Sequence, residues 1–147
     1  MMWKSLPPKL IEEQILVRGG AFRMEYEFAE EGRKKRFFFI LNFNPRSDQI
    51  LVVATATTKI KARRACRPPE VLVELSRRDC PDLDQDSLVD CSSARSWPRD
   101  QLIRGIQRKS VQPLSPLPAT VMDRLARAVG AAKTLPPKIK RLVLEET

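Results

Sequence analysis

The chain has 147 residues, 42% hydrophobic side chains, a formal charge of +9 and no histidine. That length and apolar content fit one folded body with a real core rather than a disordered tail, and the charge points toward a polyanionic partner. The lack of histidine excludes Ser-His-Asp and Cys-His catalysis, and Cys66, Cys80 and Cys91, without CxxC spacing, cannot assemble the usual zinc tetrad.

Three free thiols fit a reducing, cytoplasmic setting. The opening Met1-Met2-Trp3-Lys4-Ser5-Leu6-Pro7-Pro8 breaks before an apolar leader core can form. The longest apolar runs are strand length, far short of the roughly 20 residues a membrane-spanning helix needs, so no membrane partner is expected.

Pro7 and Pro8 predict the start of a short helix with Leu10, Ile11, Ile15 and Leu16 on one stripe and a left-handed stop at Gly19-Gly20. Residues 1–19 thus read as a helical extension covering the open end of a β body. From Ala21 to Phe28 the apolar residues Phe22, Met24, Tyr26 and Phe28 alternate with Arg23, Glu25 and Glu27, the pattern of a half-buried strand. Glu30-Glu31-Gly32-Arg33-Lys34-Lys35 reads as a charged loop.

Two near-continuous apolar runs follow, Phe37–Asn42 and Gln49–Ala56, joined through Asn44-Pro45 and Ser47-Asp48. They predict a hairpin buried on both faces or tightly curled. Cations (Arg33 to Arg36) lead into the first run, and Thr55-Ala56-Thr57-Thr58-Lys59 ends the second. The pair therefore brings a positive mouth and a row of hydroxyls to one sheet edge, a chemistry suited to a phosphodiester. Lys61–Pro69, with Arg63, Arg64 and Arg67, reads as a cationic loop able to close on a polyanion.

Val71–Leu75 predicts a fourth strand and Ser87–Ser92 a short fifth. Between them, Asp79 to Asp86 has an Asp-x-Asp-x-Asp look without the glycine and final glutamate of a calcium loop, and reads as an acidic loop. Ser96 is expected to cap a helix through Ile106, with Pro98 in its first turn. A longer helix is expected from about Pro118 to Lys133 with Val121, Leu125, Ala128, Val129 and Ala132 inward. Pro136-Pro137 stops it, and Ile139, Leu142 and Val143 mark a last helical turn or two, so residues 134–147 read as a helical tail. Short strands with hairpin links and helices at the margins predict a mainly β (α+β) domain over residues 20–133, a small antiparallel barrel.

The order of Gly20-Ala21-Phe22, Lys35-Arg36 with the run to Asn42, Ile50 to Thr58, Asp86 to Cys91, and the helix from Leu117 to Val129 resembles the MazF/PemK (Kid) toxins of type II toxin–antitoxin systems. The resemblance implies an SH3-like barrel, a homodimer, a cognate antitoxin as partner, and cleavage of single-stranded RNA without metal or other cofactor. It places the family's catalytic arginine on Arg36 and its catalytic threonine on Thr57. Phe37 stands where the family has proline, and Gly20-Ala21 where it has Gly-Asp.

RNA can be cut by its own 2′-hydroxyl if the protein orients the attack and stabilises the charged transition state. The Arg36 guanidinium matches two phosphate oxygens and Thr57 can donate to a third, with Lys35, Thr58 and Lys59 beside them. Arg63, Arg64 and Arg67 would add phosphate contacts that set affinity but not sequence choice. The proton acceptor stays open, with Glu25 and Glu27 as carboxylates that folding can bring near. Trp3, Phe43 and Trp97 are available to stack on bases, although packing is the commoner use of such residues. Two alternatives remain beside the nuclease: a non-catalytic nucleic-acid-binding module on the same fold, and a toxin acting on a protein such as gyrase.

Overall fold

A computed structural model describes residues 2–28 and 32–144, apart from the side chains at 2, 26–28 and 32–34. Seven strands run β1 (Ala21–Phe28), β2 (Gly32–Ile40), β3 (Ile50–Thr57), β4 (Leu72–Leu75), β5 (Ser87–Asp90), β6 (Arg95–Pro98) and β7 (Gln112–Leu114). Five helices are α1 (Pro8–Ile15), α2 (Ile60–Cys66), α3 (Arg99–Gln107), α4 (Ala119–Ala131) and α5 (Pro137–Leu144).

All recorded strand pairings are antiparallel, in the order β4-β5-β3-β2-β1-β7, with β6 also on β3. The fold class is therefore the mainly β, helix-flanked one expected. Among the described residues the outer strands β4 and β7 are not paired with each other, so the ladders form an open path rather than a closed barrel.

Strand alternation explains the apolar runs. Phe39, Leu41, Val52, Ala54 and Ala56 enter one core cluster, which β4, β5, α4 and α5 cover. Phe38, Ile40, Leu51 and Val53 enter another with Ile11, Ile15 and Leu16 of the N-terminal helix region and Leu102 and Ile106 of α3. Both faces of β2 and β3 are buried, as their unbroken hydrophobicity requires. In the second cluster Phe22 stacks on Phe38 at 5.4 Å, and Trp97 tilts against Phe38 at 5.0 Å. Trp97 is a core residue, not a base-stacking platform.

Several boundaries differ from the expected ones for identifiable reasons. The segment Gly32–Lys35, expected as loop, belongs to β2, because its residues pair with β1. Opposite charges across a ladder, as Glu25 opposite Lys35, are compatible with strand structure. Lys61 to Cys66 is helix α2, not loop, although none of its side chains is buried. Ser96 lies in β6 instead of capping a helix; α3 starts at Arg99 and Pro98 stands at its N-cap. β7 was not anticipated, since Pro113 interrupts its pattern; it pairs only with β1. Gly19 does adopt positive φ (+82°), but past the helix end, where its N–H donates to the Ile40 carbonyl. A side chain at Gly19 would also meet Met122 at 2.9 Å, so close packing and conformation both require glycine there.

β5 and β6 act as one interrupted strand along an edge of β3. The pairing of β5 with Ala56 and Thr57 and of β6 with Ile50 to Val53 differ in register by the three residues of the 3₁₀ turn Cys91–Ser93. On the other edge, Asn42 replaces backbone pairing where the chain leaves the ladder. Its buried amide accepts from the Val52 N–H at 2.6 Å and donates to the Ile50 carbonyl at 2.9 Å and to Asp48 Oδ2 at 2.8 Å. Asn42→Ala would leave two interior backbone groups unpaired, so it should lower stability by about 3 kcal/mol in urea denaturation; a loss below ~1 kcal/mol would show that the amide is dispensable.

Candidate functional site

The site is built where β2 and β3 separate. Their recorded pairing ends at Phe38 opposite Thr55. Two residues back along β2 is Arg36, and two residues on along β3 is Thr57. Alternation puts Arg36 on the face that carries Phe38 and Thr57 on the face that carries Thr55, which is the same face of the sheet, just past the last β2–β3 pair. Past this point each strand keeps only the neighbour on its other edge: Arg36 lies opposite Met24 of β1, the strand that also pairs with Phe38, and Thr57 lies opposite Leu88 of β5. Arg36 and Thr57 thus flank the notch left by the divergence, both half-buried.

Arg95 belongs to the same face. It pairs with Val53, whose side chain shares the face of Thr55 and Thr57. Sequence reading passed over it because β6 was read as the approach to a helix. The signal available was the alternation Arg95-Ser96-Trp97, with Trp97 inward.

Thr57 is locally ordered by its neighbours: its Oγ1 accepts the Lys59 N–H at 3.2 Å. Thr58 and Lys59 are exposed at the turn into α2, and Lys35 is exposed on β2. By register Lys35 and Glu25 share the opposite face from Arg36 and Met24, so the hairpin does not present Glu25 toward Arg36. The side chain of Glu27 lies outside the described residues. Phe43 is exposed and Trp3 half-buried, each with a cation over its ring: Arg18 at 5.3 Å and Lys4 at 5.6 Å, respectively.

The three arginines expected to meet phosphate are on and just after α2, and carboxylates hold all of them. Arg67 Nε donates to Asp90 Oδ2 at 3.0 Å, and Arg63 Nη1 lies 3.6 Å from the same oxygen. Arg64 pairs with Glu74 on β4. Asp90 is the organiser that sequence reading missed. It is 5% exposed, and its Oδ1 accepts from the Ser92 N–H and hydroxyl while Oδ2 also accepts from the Ser93 hydroxyl. One carboxylate therefore caps the turn between β5 and β6 and anchors α2.

Between α2 and β4 lies a cleft of about 670 Å³ with Leu72, Val73 and Leu88 along it and Arg64, Arg67, Glu74 and Arg124 at its polar rim. Arg124 pairs with Asp79 at 3.3 Å. No group of three or more His, Cys, Asp or Glu side chains positioned to hold a metal ion occurs among the described residues. No helix of the described residues is long and apolar enough to cross a membrane.

No family model matches the chain, and no curated protein sequence matches it. Solved structures do. A mycobacterial endoribonuclease solved in complex with its cognate antitoxin matches with a TM-score of 0.50 at 18% identity, over 82% of this chain and 96% of that one. MazE–MazF from Deinococcus radiodurans matches with a TM-score of 0.52 at 13% identity, over 80% and 94%. A second mycobacterial endoribonuclease structure matches with a TM-score of 0.51 at 16% identity, over 83% and 94%. The chain has a small antiparallel β fold with flanking helices. That fold is the MazF fold, as the order of motifs in the sequence implied.

The cysteines report on this body. Cys66, at the end of α2, is exposed, whereas Cys80 and Cys91 are buried. Burial, reinforced by the nearby Asp90 charge, pushes the Cys91 thiol up to about 12, and its Sγ points at the Leu125 carbonyl at 3.8 Å. A native thiol titration with a disulfide reagent should therefore read one fast group, with the other two appearing only in denaturant. In the unfolded chain Cys91 ionises near its ordinary 9.0, so above that pH the unfolded state binds fewer protons than the folded one and stability falls toward 12. By about pH 10 wild type should have lost ~1.4 kcal/mol more than Cys91→Ala relative to neutral pH, as read from paired urea curves. Parallel losses would rule the thiol out.

Proposed function

We propose that this chain is the toxin of a type II toxin–antitoxin pair and cleaves single-stranded RNA without a metal ion. What supports the reading is that Arg36 and Thr57 each lie two residues past the last β2–β3 pair, Phe38 opposite Thr55, on one sheet face. A guanidinium and a hydroxyl on one sheet face can hold the non-bridging oxygens of a single phosphodiester while the neighbouring 2′-hydroxyl attacks in line. As the phosphorus becomes five-coordinate its oxygens gain charge, and a fixed cation stabilises that state more than the ground state. Arg95, on the same face, adds positive potential toward the same substrate. Lys35, Thr58 and Lys59 are exposed around the notch and suit contacts to flanking phosphates.

The reading includes a homodimer and an antitoxin whose acidic, apolar segment suits a cationic surface. The fold shared with endoribonucleases solved with and without an antitoxin supports this direction. Other functions on this fold would separate in the same experiments. Salt-sensitive RNA binding without cutting would mark a binding module, and growth arrest with intact RNA would mark a protein target.

Purified protein should cut a single-stranded RNA in EDTA. Arg36→Ala should lower the cleavage rate by about 100-fold or more, and Thr57→Ala by about 10-fold, the range for removing a transition-state donor. Circular dichroism should be unchanged in both, because neither side chain belongs to the two buried clusters. Cleavage by Arg36→Ala at the wild-type rate would overturn the assignment.

A further inference from the structure

α2 is an unusual helix for its position. It follows directly on Thr57-Thr58-Lys59, carries Arg63 and Arg64 in its last turn, and buries no side chain. No side chain caps its N-terminus, and it ends in extended Arg67 followed by Pro68-Pro69. Hydrophobic burial does not hold it. Ion pairs do: Arg63 and Arg67 to Asp90, and Arg64 to Glu74. The Arg64–Glu74 pair is mostly in water, with side chains 54% and 63% exposed, so solvent screens it. Beneath the helix, the cleft along Leu72, Val73 and Leu88 opens between those anchors.

We propose that α2 is an ion-pair strap whose arginines form a phosphate-docking surface masked by Glu74 and Asp90: a polyphosphate chain takes the arginines from these carboxylates, and the helix then leaves the cleft. Guanidinium binds phosphate and carboxylate with the same bidentate geometry, so the exchange keeps each arginine paired. The carboxylates become the masking groups, and the outermost, Glu74, gives way first. Arg124, across the cleft from α2, extends the cationic rim. The natural polyanion, single-stranded RNA, rests on the reading given under the proposed function; the strap itself does not.

Glu74→Gln removes the exposed mask and leaves Asp90 intact. Glu13→Gln on the exposed surface of α1 makes the same change in net charge far from the strap in sequence. Affinity for a short poly-uridylate and for inorganic polyphosphate is measured for both variants, with the reaction rate of the exposed Cys66 thiol as a local reporter of α2. Glu74→Gln should tighten binding of both polyanions by about threefold relative to Glu13→Gln, the scale of one exposed ion pair. In wild type, saturating polyphosphate should raise the Cys66 rate, and Glu74→Gln should start from a higher rate. Equal affinities in the two variants, or a Cys66 rate that saturating polyphosphate leaves unchanged, would overturn the strap. Polyphosphate acting as described while RNA neither binds nor is cut would uphold the strap and remove RNA as its ligand.

Discussion

The fold depends on β3 being satisfied on four sides at once. Its faces are buried in two separate clusters, and its edges take β2 on one side and β5 and β6 in succession on the other. A buried strand has no water to complete its backbone hydrogen bonds, so each departure of a neighbour must be made good locally. Asn42 does this where β2 gives out, and Asp90 holds the turn where β5 passes into β6. The candidate site lies where one of these ladders ends. The pairing of β2 with β3 runs only to Phe38 opposite Thr55, while each strand keeps the neighbour on its other edge, β1 along β2 and β5 along β3, and Arg36 and Thr57 lie two residues past that end.

Much of this was readable in the order of residues, for physical reasons that differ by element. β1 has the expected ends because its period-two alternation runs without interruption from Ala21 to Phe28. α4 was legible because a face of small and branched residues recurs at helical spacing, and Val121, Leu125, Ala128 and Val129 are buried on it. The double burial of β2 and β3 followed from runs too apolar for a half-exposed sheet. Arg36 and Thr57 drew notice together because each lies two residues past the end of one hairpin ladder, Phe38 opposite Thr55.

What escaped was what hydrophobic pattern cannot encode. α2 has no apolar stripe, so its cations read as a loop; it is held by ion pairs to other elements, with Glu74 on β4 and with Asp90 at the end of β5. β6 and β7 are only four and three residues long and contain prolines, and such strands exist by virtue of the neighbour they pair with. Asp90 looked like an ordinary strand residue. Its role needs the turn that aims its carboxylate inward and the helix that returns two arginines to it.

Net charge alone therefore overstates how much of the basic surface is available. The +9 of the whole chain includes Arg63, Arg64 and Arg67, each already facing a carboxylate. A phosphate reaching these groups gains only the difference between itself and the resident anion, so their contribution to affinity is modest and strongly salt-dependent. Under the proposed function, selection among polyanions would then fall to the end of the β2–β3 ladder, where a cation and a hydroxyl share a partly buried setting and lower dielectric strengthens each contact. On that proposal the division of labour would be spatial, with paired arginines at the periphery for capture and the parted strands for chemistry. A histidine-free chain has few other ways to assemble a charged transition-state site, because arginine keeps its charge at every physiological pH and needs only to be held in place.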